Sequence, residues 1–279
     1  MTALQVFKAT PVSDDKFFNS RNSPVGCEWC QAVQPVGVRF KVCSACKVAQ
    51  YCSKEHQKLH WKKHKETCAR LSASHEQVAR LDKAESLGDG MPTRQALLAL
   101  LEDWIEVHFY SITSAMANAI RFAGTSFNFR THFACIRVSY NVDSEGNPGT
   151  AFLLNDLTFQ RDLIPTMSSM RQEVEATDLS LRAQNWGGGG YLGYLMCFYI
   201  IEGTAGTLTF LTANGIVKEQ DTWMGRVTSD TWLSTAQRNI RQGKVWRAVR
   251  RRFPVIGAQY VNIPGKMERK GNKWVWKKT

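Results

Sequence analysis

The chain has 279 residues, of which 43% are hydrophobic, 22% charged and 11% aromatic. This composition supports a buried core and argues against a disordered tail or a fibrous repeat. No apolar run reaches the roughly 18 residues that span a bilayer, and the first residues lack the pattern of a secretion signal. We therefore expect a soluble intracellular protein, in the nucleus or the cytoplasm, without a membrane partner.

The net charge of +12 is concentrated in two segments of the chain. Lys and Arg outnumber Asp and Glu by six between residues 41 and 70, and by eleven between residues 230 and 279. Such basic segments are suited to an acidic protein or a nucleic acid, and they also keep a protein soluble.

Composition divides the chain into four parts. Residues 1–26 mix polar, charged and Pro residues without periodicity, and we interpret them as a lead-in. Residues 27–68 hold six of the eight cysteines. Residues 69–92 are helix-tolerant and end in a Gly-rich stretch, which predicts a linker helix and loop. Residues 93–279 are then one larger domain with a basic C-terminal segment.

The larger domain begins with a predicted helix. From Thr93 to Ala119, apolar residues recur at steps of three and four, which predicts one long amphipathic helix that could bend. His108 falls on its apolar face, and we interpret it as a core histidine with its hydrogen bonds satisfied.

Two pairs of strands are predicted next. Residues 131–140 alternate between polar and apolar, and residues 151–154 follow after a loop, as expected for a hairpin. Residues 192–201 are almost wholly apolar, typical of a central strand, and residues 207–212 alternate beside it.

A last helix is predicted from Ser229 or Asp230, as the capping residue, to about Gln242, with Gly243 ending it. The predicted fold class is α+β, a small finger followed by a domain in which helices surround an antiparallel sheet.

Cysteine and histidine side chains in residues 27–68 come in four pairs. They are Cys27-x2-Cys30, Cys43-x2-Cys46, Cys52-x3-His56 and His64-x3-Cys68. A two-residue gap lets one turn present both sulfurs to one zinc ion, and residues four apart share a helix face. Eight ligands satisfy two tetrahedral ions and leave no position for water, so we expect two structural Zn²⁺ per chain. Spacing alone leaves sequential and interleaved pairing open.

The run Tyr51-Cys52-Ser53, followed by Gln57, His60-Trp61 and His64-Lys65 before Cys68, resembles the signature of the MYND zinc finger. In that family the first and third pairs share one ion, and the second and fourth pairs share the other. The resemblance therefore implies one site formed by Cys27, Cys30, Cys52 and His56, and a second formed by Cys43, Cys46, His64 and Cys68. Most members carry Cys where this chain has His56, and His60, one helical turn later, is a rival ligand.

The resemblance also implies a function. MYND fingers are generally protein-interaction modules, and those studied bind short proline-rich segments. The matching positions here are Gln57 and Trp61, and the surrounding lysines favour an acidic flank on the partner. Packing of Trp61 in the core of the finger is the alternative. Transcriptional regulation is a role open to such a protein.

Two other functions stand as alternatives. The final fifty residues interleave basic and aromatic side chains, a pattern that can bind nucleic acid. A lysine methyltransferase related to SET proteins is disfavoured, because the Asn-His-x-Cys-x-Pro-Asn signature is absent. We expect no enzyme, although residues 93–279 leave the question open. The layout of the chain resembles fungal proteins that join a MYND finger to an unassigned body.

Overall fold

A computed structural model describes much of the chain. The described residues are 27–30, 32, 40–84, 87, 91–161, 168–183, 185, 190–204, 208–218, 227–253, 257–271 and 273–279. The predicted lead-in, residues 1–26, lies outside them. The described chain divides into two compact units, and the boundary in the sequence falls between Leu97 and Leu98. In the described part of the chain, no helix has both the length and the apolar character needed to cross a membrane.

The first unit contains a small hairpin and a long helix. Strands β1 (Lys41–Val42) and β2 (Gln50–Tyr51) pair antiparallel. Helix α1 (Lys54–Ala84) follows and runs without interruption for 31 residues. The predicted linker helix is thus a continuation of the helix that carries the last three candidate zinc ligands.

Two consecutive helices replace the single long helix predicted from Thr93. Helix α2 (Arg94–Val107) begins after Thr93, whose hydroxyl accepts a hydrogen bond from the amide of Ala96 at 3.2 Å. Helix α3 (Phe109–Ala123) begins immediately after His108. Backbone hydrogen bonds continue across His108 from α2 to α3, so the predicted stretch is helical, but it is divided at His108 into two helices instead of forming one.

The main sheet of the second unit has four strands in the order β4-β3-β5-β6. Its strands are β3 (His132–Tyr140), β4 (Phe152–Arg161), β5 (Tyr191–Glu202) and β6 (Leu208–Val217). The two predicted strand pairs are confirmed, since β3 pairs antiparallel with β4 and β5 with β6. The predicted α+β class is confirmed, and two of the three pairings of this sheet are antiparallel, whereas β3 and β5 pair parallel and make the sheet mixed.

The parallel pairing arises because β5 lies beside β3, on the side away from β4, after helix α4 (Ser168–Ala183), which packs on β5. A chain that returns to the sheet through a helix can lay its next strand parallel to an earlier one. Val174 of α4 packs with Tyr194 and Met196 on one face of the sheet.

Helices α3 and α5 (Trp232–Arg241) pack together on the sheet, α3 against β6 and α5 against β4. The side chain of Met116 on α3 contacts Cys197, which points to the opposite face of β5 from Met196. The main sheet is therefore covered by helices on both faces. Thr231, rather than Ser229 or Asp230, is the N-cap of α5, and Gly243 follows its end with φ +62°, as predicted.

The basic C-terminal segment forms a second sheet that the sequence did not predict. Strands β7 (Val245–Phe253), β8 (Gly257–Lys270) and β9 (Lys273–Lys278) pair antiparallel in that order. The indole N–H of Trp276 donates to the carbonyl of Val245 at 3.1 Å. A Cβ atom at Gly265 would collide with Trp276 and with the carbonyl of Lys277, so only glycine fits there.

His108 is fully buried, as predicted, but its hydrogen bonds are only half satisfied, because its Nδ1 has no hydrogen-bond partner among the described residues. Its Nε2 lies 3.0 Å from the carbonyl oxygen of Gly149, and its ring packs on Trp104. Burial lowers the pKa of His108 to about 4, although the hydrogen bond to Gly149 opposes this shift. The imidazole is therefore neutral in the folded protein at neutral pH.

This burial predicts a pH dependence of stability. In the unfolded chain His108 takes up a proton near pH 6.5, whereas in the folded chain it does so only near pH 4. The contribution of the neutral ring to the free energy of unfolding is therefore complete above pH 6.5. As the pH falls to about 4, the free energy of unfolding decreases by on the order of 3 kcal/mol. Urea unfolding should show a steeper fall for the wild type than for His108→Gln, which keeps a donor for Gly149. Equal pH profiles would contradict this prediction.

Candidate metal centre

The hairpin presents the second pair of cysteines. The amide of Cys43 donates to the carbonyl of Ala49 at 2.8 Å, and the amide of Lys47 donates to the carbonyl of Cys43 at 3.0 Å. Lys47 has φ +58°, in the left-handed region, which closes the turn after Cys46. The two thiols are thereby held on the same side of a tight loop.

The first and third pairs are joined by the same hairpin. The amide of Glu28 donates to the carbonyl of Gln50 at 3.0 Å, which places the turn of Cys27 and Cys30 beside β2. Ser53 then caps α1, since its hydroxyl accepts from the amide of His56 at 3.2 Å. This cap fixes where the helix begins, directly after Cys52.

Helix α1 carries three of the ligand side chains. His56, His64 and Cys68 are spaced at multiples of four residues and therefore lie along one side of the helix. That side faces the two cysteine turns. Cys68 is buried together with Cys43 and Cys46 in the core of the finger.

The eight side chains gather into two quartets, in each of which the ligand atoms all lie within 4.8 Å of one another. The first quartet is Cys27, Cys30, Cys52 and His56, and the second is Cys43, Cys46, His64 and Cys68. These are the interleaved sets that the resemblance implies. In the described residues no other group of three or more Cys, His, Asp or Glu side chains is arranged for a metal.

The distances fit tetrahedral zinc. Thiolates about 2.3 Å from Zn²⁺ stand about 3.8 Å apart at tetrahedral angles. The Sγ atoms of Cys30 and Cys52 are 3.7 Å apart, and so are those of Cys43 and Cys68.

Thiolate and imidazole ligands would stand about 3.5 Å apart. Cys46 Sγ lies 3.6 Å from Nε2 of His64, and Cys27 Sγ lies 3.7 Å from Nδ1 of His56. The shorter separation, 2.9 Å between Cys52 Sγ and His56 Nδ1, is a hydrogen-bond distance. The two histidines thus offer different ring nitrogens.

Electrostatics within the quartets also fit a cation. Burial raises the pKa of the Cys27 thiol, but backbone amides, chiefly those of Cys30 and Cys52, outweigh it and lower the pKa to about 6. Desolvation raises the pKa of Cys52 to about 11, and the neighbouring thiols add to this effect. The same two causes raise the pKa of Cys68 to about 11. Thiolates so close together repel one another, and a bound Zn²⁺ supplies the opposite charge that lets all of them ionise.

His60 is not part of either quartet. Its Nδ1 lies 3.0 Å from the hydroxyl of Tyr51, which is buried in the core of the finger. His60 also stacks on His64, with the ring centroids 5.8 Å apart. The structure therefore favours His56 over His60 as the ligand, and Tyr51 is a residue whose role the sequence analysis missed.

A comparison with protein-family models matches residues 27–68 to the MYND finger. Residues 27–68 form a MYND finger. A MYND finger is a zinc-binding module of protein interaction, and this one holds its two ions in structural sites. No curated protein and no solved structure matched the chain. The resemblance of the body to fungal MYND-containing proteins stays a prediction.

The MYND finger exposes two tryptophans. Trp61 is 47% exposed and Trp29 is 40% exposed, and neither belongs to the buried core of the finger. The alternative that Trp61 packs in this core is therefore disfavoured. Trp29 lies directly before Cys30, and the sequence analysis did not single it out.

Two histidine variants separate the ligand from its neighbour. We expect the zinc-loaded wild type to contain two zinc ions per chain by atomic emission. His56→Ala should reduce the tightly bound zinc to one ion per chain, because it removes a ligand from the first quartet. His60→Ala should keep both ions, and a loss of zinc from this control would contradict the assignment.

Proposed function

We propose that the MYND finger binds short proline-rich peptides along the surface around Trp61 and Gln57. The observation that carries this proposal is the exposure of nearly half of Trp61 on a helix that zinc ligands hold in place. A large apolar side chain costs free energy in water, and it regains that energy when a partner covers it. An indole also offers a flat face for a proline ring and an N–H group for a backbone carbonyl.

A row of aromatic rings extends this surface. Trp61 contacts the ring of His64 edge-on, with centroids 6.0 Å apart, and His64 stacks on His60. Trp29 lies beyond His60 at 6.3 Å. Because His64 is buried, the exposed rings of this row are those of Trp61 and Trp29. A polyproline helix presents its rings at a regular spacing, so two exposed tryptophans suit it better than an isolated one. The extended form of the peptide also loses little entropy on binding.

Lysines border the same side of the helix. Three lysines lie on the same side of α1 as Trp61. Lys54 is seven residues before it, Lys58 is three residues before it and Lys65 is four residues after it. All three are exposed. They support an acidic flank on the peptide, which would raise the association rate at low salt.

Trp61→Ala should weaken binding of a proline-rich peptide by about tenfold or more, as expected for an aromatic anchor at an interface. The matched control is Leu59→Ala, which truncates another exposed apolar residue of α1, 55% exposed, on nearly the opposite side of the helix. The affinities are measured by fluorescence anisotropy, in titrations of a labelled proline-rich peptide that was selected on a peptide array.

Zinc content and circular dichroism should be unchanged in both variants, because neither residue is a ligand or a core residue. Equal affinities of the wild type and Trp61→Ala, or equal losses in the two variants, would remove the proposal. Replacing the acidic flank of the peptide by neutral residues should reduce the salt dependence of binding.

An intracellular location and a role in gene regulation are part of the same proposal. All eight cysteines are free of disulfides, as expected in a reducing compartment. We propose no catalytic role for the finger, since each quartet completes the coordination of its ion and leaves no open position.

A second candidate function is non-specific binding of nucleic acid by the C-terminal sheet. Lys266 stands directly opposite Lys277 on the neighbouring strand, and both are exposed. Like charges in direct opposition destabilise a sheet. An ion pair between Lys277 and Glu268 at 3.0 Å offsets part of this repulsion, and anion binding at Lys266 would offset the rest. The tryptophans are less suited to stacking on bases, because Trp246 is buried and Trp276 donates its N–H to Val245.

Salt dependence tests the second candidate. If the sheet contacts phosphates, the affinity for a single-stranded oligonucleotide should fall steeply with salt, and Lys266→Ala should reduce the logarithmic slope by about one. Lys218→Ala removes an exposed lysine at the end of β6 and is the control. The same slope in Lys266→Ala and the wild type would contradict a phosphate contact at Lys266.

A further inference from the structure

The two metal sites of the finger have the same set of ligands. Each quartet consists of three cysteines and one histidine, so the chemistry of the ligands does not make one site bind zinc more tightly than the other. Two differences remain between the quartets. One is the exposure of the ligands to solvent, and the other is the fit of their spacing to a tetrahedral ion.

The second quartet lies inside the core of the finger. None of its ligands exposes more than 5% of its surface, and they are Cys43, Cys46, His64 and Cys68. The three cysteines pack with apolar side chains and with Tyr51. A chelator therefore reaches this ion only when the core of the finger opens, and such an opening is rare in a folded protein.

The first quartet lies at the surface of the finger. Cys30 and Cys52 are exposed, and His56 is partly exposed. Only the fourth ligand, Cys27, is buried. A chelator in the solvent can approach this ion from the side of two exposed sulfurs. Because that approach needs local movement alone, the core stays closed while the ion leaves.

The spacing of the ligand atoms also favours the second quartet. There, Cys46 Sγ and His64 Nε2 are 3.6 Å apart, close to the separation of about 3.5 Å that one zinc ion requires. In the first quartet, Cys52 Sγ and His56 Nδ1 are only 2.9 Å apart. These two side chains must separate before they bind one ion. A ligand that has to be reoriented contributes less to the affinity than a ligand already in place.

The first quartet holds the segment that carries Trp29. Residues 27–30 supply two of its ligands, and Trp29 lies between them as one of the two exposed tryptophans of the peptide surface. The amide of Glu28 also joins this segment to β2, through the carbonyl of Gln50 at 3.0 Å. A hydrogen bond is weak compared with zinc coordination, so the ion is the stronger of these two attachments.

We propose that the first quartet exchanges its zinc ion readily, that the second quartet retains its ion, and that withdrawal of the first ion weakens peptide binding. The agent is any soluble chelating ligand that competes for Zn²⁺. The second ion still joins the hairpin to α1, while Trp29 and the start of α1 lose their attachment. The effect on peptide binding rests on the function proposed above, whereas the unequal retention of the two ions does not.

The first test follows the release of zinc from the full, zinc-loaded chain. The protein is mixed with excess EDTA and desalted at intervals, and the zinc that remains is measured by atomic emission. We expect one ion per chain to leave first, and the second to leave at least about tenfold more slowly. Release of both ions in a single phase, or of neither, would overturn the proposal.

Variants identify the ion that leaves first. His56→Ala should lack the early phase and keep the slow phase, because it removes a ligand of the first quartet alone. His56→Cys supplies a fourth thiolate to the first quartet and should slow the early phase only. Leu59→Ala, at an exposed position outside both quartets, is the control and should release zinc as the wild type does. An unchanged early phase in His56→Ala would assign it to the other quartet and overturn the proposal.

Hydrogen exchange locates the structural change in the wild type after one ion has been removed. The amide of Glu28 should exchange about tenfold faster or more, because the segment that holds it is released. The amide of Cys43 donates to the carbonyl of Ala49 inside the hairpin and should keep its protection. Equal loss of protection at both amides would show that the finger opens as one unit, which contradicts the proposal.

Peptide affinity is measured in the same one-zinc preparation. It should fall about tenfold or more and return when one equivalent of Zn²⁺ is added. Unchanged affinity at one zinc per chain would overturn the regulation of peptide binding. A fully loaded chain that binds no proline-rich peptide would remove the proposed function and this regulation with it, whereas two phases of zinc release would still support the unequal sites.

Discussion

Mutual repulsion among thiolates, relieved by a divalent cation, is the constraint on which the MYND finger depends. Among the described residues of the finger, eight form its buried core, and four of them are zinc ligands: Cys27, Cys43, Cys46 and Cys68. The remaining apolar side chains bury too little surface to order a unit of this size. The metal therefore provides much of the folding free energy, and the orientation of α1 depends on it. The exposed face that carries Trp61 is positioned by the same bonds.

The sequence predicted the finger better than the body, for a physical reason. Ligand spacing is local information, and zinc accepts few arrangements of four donors. His56 and His60 could not be separated in this way, because both lie on the ligand side of α1. The hydroxyl of Tyr51 distinguishes the two histidines, because it contacts His60, and it does so only once the hairpin has formed.

In the body, the fold depends on pairings between strands that are distant in the sequence, and local sequence patterns do not predict these pairings. The alternation of β3 and the apolar run of β5 predicted strands, but periodicity does not reveal which strands become neighbours or in which direction they run. Strand β5 lies beside β3 rather than beside β4, and this placement makes β3 and β5 parallel neighbours. The C-terminal strands were missed because their dense positive charge suggested a solvated segment. Trp246 and Met267 are nevertheless buried there, and pairing with other strands hides them.

The two metal sites of the finger differ in their exposure to solvent. All four residues of the second quartet are buried, whereas Cys30 and Cys52 of the first are exposed. Oxidants reach accessible sulfur first, so peroxide would attack the first quartet while the second is still shielded. A disulfide between Cys30 and Cys52 would release one ion and free the start of α1, next to Gln57. The surface around Trp61 would then be lost before the core of the finger, which would make the proposed peptide binding sensitive to oxidants.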